Sequence, residues 1–194
     1  MIFSRTVSNS DVEYFNLSSN IIEYLQHPKS IRDYSSGIAR FWEYSILLKL
    51  MEYYNLKNPT VMAVTAKDDG TALSIISEYK NFKSTSFNIK DFLKIKIRPN
   101  QYDIVCCFGG LEFAKNEYVL LSKLSKHVKK SGYLIVTTNQ YPNNPTKKIT
   151  VDDILDMSIL LEDSGFDFCS DEDYPLKYNT DSDLHSLVME KIGN

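Results

Sequence analysis

The stretch Tyr102-Asp103-Ile104-Val105-Cys106-Cys107-Phe108, followed by Gly109-Gly110, decides the fold of this chain. Its apolar residues run without a break from Ile104 to Phe108, and the glycine pair stops them. A run of this length suits a strand buried on both faces. Tyr133-Leu134-Ile135-Val136-Thr137-Thr138 repeats the texture further on. Between the two, Glu117 to Lys130 carries Val119, Leu120, Leu121, Leu124 and Val128 at helical spacing, with Gly132 where a C-terminal glycine belongs. Strand, helix and strand in that order predict neighbouring parallel strands.

Working outward, the same alternation continues. Val61 to Val64 reads as a short buried strand, Lys67-Asp68-Asp69-Gly70 as a turn, Thr71 to Tyr79 as a helix and Ser84 to Asn88 as a second strand. On the other side, Val151 to Ser164 reads as a helix ending at Gly165, and Phe166 to Cys169 and Leu184 to Ile192 as late strands. The first third is helical: Val12 to Leu25, closed by His27-Pro28, then Ser36 to Tyr54. The expected architecture is one α/β domain over 1–194, doubly wound and mostly parallel, with residues 1–57 as an N-terminal helical cap and 58–194 as the core. On such sheets ligands bind beyond the carboxyl ends of the strands. The loops after Val64, Asn88 and Phe108 are therefore the place to look for function.

Composition narrows the function classes. The chain has 194 residues, 43% of them hydrophobic, enough for one core. A net charge of −3 gives no electrostatic footprint for nucleic acid, and the basic run Lys123 to Lys130 falls on a helical pattern. No apolar run approaches the ~20 residues that span a bilayer. Three cysteines cannot form a paired framework, and no Cys–His spacing predicts a metal site. A cytoplasmic protein with buried thiols, no membrane contact and no metal is expected. A Walker loop and a Gly-x-Gly-x-x-Gly turn are both missing, which argues against other nucleotide-linked doubly wound enzymes.

Gln101 to Phe113 resembles the fourth motif of class I S-adenosylmethionine-dependent methyltransferases, the Rossmann-like superfamily. There an aromatic–Asp pair opens the central strand, and a loop with a small residue and an acid follows. Lys130-Ser131-Gly132 and Tyr133 to Thr138 resemble the family's glycine turn and fifth strand, and Asp152 to Phe166 its helix and Gly-Phe turn before a final hairpin. Arg40-Phe41-Trp42-Glu43-Tyr44 is similar to a helix that some members carry ahead of the cofactor strand. The resemblance covers about residues 36 to 192.

The resemblance implies S-adenosylmethionine as cofactor, and the cofactor loop departs from the family pattern. The family's first two loop glycines fall on Thr65 and Lys67, and its early acid on Ala63; only Gly70 remains, shifted. Asp68 or Asp69 is the candidate for the cofactor's ammonium. From Thr65 to Asp103 there are 38 positions, room for one strand–helix unit where the family has two. Either Asn88 takes the ribose-binding position, or Ser86 to Asp91 corresponds to the later adenine-binding motif. Candidate cofactor residues are thus Thr65, Asp68, Asp69, Gly70, Asn88, Asp91, Phe108, Gly109 and Glu112. Phe108 or Leu93 would wall an adenine. Glu112 would orient a substrate, act as a base, or simply complement a helix dipole. No catalytic residue is singled out, because methyl transfer needs mainly proximity and alignment.

Two functions fit this pattern. One is methyl transfer to a small-molecule acceptor, with Tyr14, Phe15, Tyr34 and Tyr44 as core or acceptor-pocket aromatics. The other is a catalytically inactive scaffold of the same shape that binds a partner or another ligand. A strand edge left bare by the missing unit would need cover, so a homodimer or another protein partner is a further expectation.

Overall fold

The computed structural model describes residues 37–66, 70–139, 149–169 and 184–193. The expectations for Val12 to Leu25, for Tyr14, Phe15 and Tyr34, and for Lys67, Asp68 and Asp69 lie outside the described residues.

The structure starts with helix α1 (Gly37–Tyr53). From Glu43 to Met51 every side chain but Lys49 is buried, as a helix apolar on nearly all sides requires. Asn55 at φ 49° turns the chain out of it. Strand β1 (Thr60–Thr65), helix α2 (Gly70–Lys80), strand β2 (Lys83–Asn88) and the short helix α3 (Ile89–Lys94) follow. Then come β3 (Tyr102–Phe108), a 3-10 turn (Leu111–Phe113), α4 (Glu117–Ser125), β4 (Val128–Asn139), α5 (Val151–Asp163), β5 (Phe166–Phe168) and β6 (Leu184–Lys191).

The six strands form one sheet in the order β2-β1-β3-β4-β6-β5. The first four are parallel, and β6 runs antiparallel to both β4 and β5. The expected doubly wound, mostly parallel sheet is therefore present. Between β1 and β3 the described residues hold one strand, β2, flanked by α2 and the short α3. Alternate residues divide the core in two. Val61, Ala63, Ile104, Cys106 and Phe108 face α1 and α2. Met62, Val64, Val105 and Cys107 face α3, α4 and α5. Each fully buried Leu or Phe on these faces stabilises the fold by about 1.5–3 kcal/mol.

One boundary differs from the sequence reading. Helix α4 stops at Ser125, and Val128 already belongs to β4. Val128 lies four residues past Leu124, so its inward position satisfies both periods. Gly132 does not close the helix. It sits in a bulge of β4, where Tyr102 pairs with Val128 but Ile104 pairs with Tyr133. Ser131 there has φ 58°, and a Cβ on Gly132 would lie 2.8 Å from the Asp103 carbonyl.

Asp103 organises this end of the sheet. Its Oδ2 accepts from the Thr60 amide at 2.7 Å and the Thr60 hydroxyl at 2.6 Å, and its Oδ1 accepts from Lys129 Nζ at 2.8 Å. Three strands are tied at their lower ends by one carboxylate. Lys123 donates to the carbonyls of Phe92 and Ile95 and so closes the C-terminus of α3. His127, buried against Phe92, shares a hydrogen bond with the Arg98 carbonyl at 3.0 Å. Lys191 Nζ reaches Val128 O and Asn100 Oδ1, both at 3.0 Å. Among the described residues no helix is long and apolar enough to cross a membrane.

Acidification should weaken the fold in two stages. Burial, together with the nearby Lys123 and Lys126 charges, outweighs the Arg98 hydrogen bond and holds the His127 pKa below 6.5. The native state then binds fewer protons than the unfolded chain, so stability falls as pH drops from about 6.5 toward the folded value. Burial would raise Asp103, but the hydrogen bonds from Lys129 and Thr60 outweigh it and hold the carboxyl low. Its contribution is present above about pH 4 and is lost below that, as pH falls through the folded pKa. Urea melts of Asp103→Asn at pH 7 should show a loss of about 1–2 kcal/mol, discounted for partial exposure, that shrinks at pH 3. An unchanged gap at pH 3 would reject the ionic account.

Candidate functional site

The register set at the lower end aligns the strand tops. Thr65 pairs with Phe108 on one side and Asn88 on the other, and Phe108 pairs with Thr137. The chain leaves β1 toward β2, then crosses back to β3 on the opposite side. Strand order thus reverses between β1 and β3, and the crevice beyond their carboxyl ends is the expected ligand position.

The sequence candidates divide there. Thr65 is buried at the end of β1, and Gly70 opens α2. Asn88 ends β2, the strand beside β1, so Asn88 rather than Asp91 occupies the strand end next to Thr65. Its Oδ1 accepts from the Lys90 amide at 2.9 Å, capping α3, and its Nδ2 donates to the Ala66 carbonyl at 2.9 Å. Asp91 points outward on α3, 3.9 Å from Lys94, and Leu93 is partly exposed on the same helix. Phe108 has no exposed surface; its ring packs edge-on to Tyr44 of α1, 5.5 Å between centroids. Tyr44 is likewise a core residue. Gly109 has φ 52°, a conformation that glycine adopts without strain. Glu112 is buried at the 3-10 turn.

Three further residues shape the rim; they lie in stretches that carry the resemblance, but nothing in the sequence announces the contacts they make. The Thr137 hydroxyl accepts the Gly109 amide at 3.0 Å and donates to Glu43 Oε1 at 2.5 Å. Glu43, buried in α1, is thereby joined to the loop after β3 across 94 positions of sequence. Gly110 is held against Cys107, whose Sγ would lie 2.7 Å from a Cβ at that position. Loop entry is therefore fixed by a buried carboxylate, a hydroxyl and two glycines.

Comparison with known proteins matches this arrangement. No family model matches the chain, and no curated protein matches it by sequence. Among solved structures, a SAM-dependent methyltransferase from Archaeoglobus fulgidus superposes with a TM-score of 0.51 at 14% identity, covering 77% of this chain and 94% of that one. A methyltransferase, so described provisionally, from Bacillus halodurans gives 0.51 at 16% identity, covering 74% and 96%. The chain has the class I S-adenosylmethionine-dependent methyltransferase fold.

Two adjacent threonines test the rim. Thr137→Val removes a hydroxyl with partners on two elements and should cost about 1–3 kcal/mol. Thr138 Oγ1 is buried with no hydrogen-bond partner among the described residues. Thr138→Val should be neutral within about 0.5 kcal/mol, or stabilising. Thermal or urea melts of the pair check the contrast, and equal losses would contradict it.

Proposed function

We propose that this protein binds S-adenosylmethionine, weakly, at the carboxyl ends of β1, β2 and β3, and transfers its methyl group to a small molecule. The observation that carries the reading is the strand reversal between β1 and β3, with Asn88 at the neighbouring strand end. The donor set there suits a nucleoside through neutral hydrogen bonds. An amide can accept a ribose hydroxyl, although it lacks the stronger charge-assisted bond of a carboxylate. When bound, the cofactor supplies an electrophilic methyl group. The chain's part is to bind and align: Thr65, Gly70, Asn88 and Gly109 would hold the nucleoside and methionine portions, with Asp68 or Asp69 near the ammonium. The Glu43–Thr137 pair keeps the loop after β3 in place beside them.

A second reading, a catalytically inactive scaffold, is favoured by one observation. Both ends of the Asn88 side chain are already engaged, by Ala66 and by Lys90. Calorimetric titration with S-adenosylmethionine separates the two. Saturable binding, with turnover on a small-molecule acceptor panel, supports the enzyme. Silence at millimolar ligand, with a folded sample, supports the scaffold.

Asn88→Asp sharpens the test. Aspartate caps a helix as well as asparagine does, but it cannot donate to Ala66, a loss of about 1 kcal/mol of stability. If the ribose lies there, the carboxylate should tighten S-adenosylmethionine binding roughly fivefold. Unchanged binding by this variant, with its fold intact, would remove Asn88 from the site.

A further inference from the structure

We propose that β2 is a dimerisation edge, pairing antiparallel with β2 of a second copy of this chain to make one continuous sheet. The proposal stands independently of the function proposed above. β2 is the outermost strand, and its outer side carries no strand among the described residues. The Lys83 amide donates inward, to the Pro59 carbonyl at 3.1 Å. Backbone groups alternate sides along a strand, so Lys83, Thr85 and Phe87 address β1, and Ser84 and Ser86 aim their N–H and C=O groups outward. The strand has no proline, no bulge and one charge, at its first residue. Among the described residues Lys83 is therefore the one device present of those that discourage edge pairing.

The edge is self-complementary in one register. A two-fold axis at Thr85 sets Ser84 opposite the partner's Ser86, and the converse pair follows by symmetry. The outward groups of these residues form two hydrogen-bonded pairs, four ladder bonds in all. Thr85 then faces its own copy, a favourable cross-strand pairing. Lys83 lies across from the partner's Phe87, which is half-buried and packs on Phe92. Its ammonium is on the α3 side, where the partner's Asp91, 71% exposed, supplies the opposite charge. Leu93, also exposed on α3, lies on the same side of the edge. The self-complementary register, with exposed Asp91 available to Lys83 beside its neighbours Lys90 and Lys94, thus selects a second copy as the occupant.

Sedimentation velocity over a concentration series should show a reversible dimer. Ser86→Pro removes an outward amide and leaves the bonds to β1 intact, so circular dichroism should be unchanged. The dimer dissociation constant should rise roughly tenfold or more. Thr85→Lys places like charges on the axis and should act the same way. Under mild oxidation, Thr85→Cys should form a disulfide-linked dimer, because Cβ atoms opposed at a non-hydrogen-bonded pair lie about 4.5 Å apart, within reach of a disulfide. Lys57→Cys, exposed after α1, should not. A wild-type chain monomeric at every concentration would overturn the proposal. So would a dimer indifferent to Ser86→Pro and Thr85→Lys, or one in which Thr85→Cys fails to cross-link.

Discussion

Everything at the working end of this molecule depends on the carboxylate of Asp103 at the other end. By accepting from Thr60 and Lys129 it fixes the starts of β1, β3 and β4 against one another. In a parallel sheet a slip of one residue would exchange the two faces of a strand. Val105 and Cys107 would then meet α1, and Ile104 and Cys106 would meet α4. The register held at the base is what brings Thr65, Phe108 and Thr137 to the same height at the top, and the pairing of β2 with β1 sets Asn88 beside them. Asp103 of the aromatic–Asp pair is thus a structural clamp, at the opposite end of the sheet from Thr65, Asn88 and Phe108.

Much of the scaffold was legible in the sequence because buried parallel strands announce themselves. Ile104 to Phe108 and Tyr133 to Val136 have no polar interruption, and no helix face could absorb them. What escaped were elements without an independent signature. Lys129, Lys130 and Ser131 are polar because they form an irregular bulge, and they concealed the start of β4. Helix α3 has six residues; its only cues were the capping Asn88 and the pair Ile89 and Phe92. The Glu43–Thr137 contact joins residues too far apart in sequence for any periodicity to link them. Long-range polar contacts are a property of the fold and must be read from it.

Among the described residues the interval between β1 and β3 holds a single strand, β2 is the outer strand of the sheet, and the strand-end residue beside Thr65 is an amide. Phe108 and Glu112, both plausible ligand contacts by position, are drawn into the interior instead. Phe108 fills the space under α1, which makes α1 part of the core rather than a detachable cover.

The neighbouring thiols of β3 carry a practical consequence. Cys106 and Cys107 are adjacent in the chain yet belong to opposite sides of the sheet, each with no solvent-accessible surface. Burial pushes the Cys106 thiol well above its ordinary value, and Cys169 up to about 12. Reaction with a water-borne alkylating reagent requires the thiolate and contact with solvent. For the β3 pair, that contact comes only when the central strand parts from its coverings. Alkylation of the pair is therefore a built-in clock for the opening of the whole molecule, and it reads both layers at once.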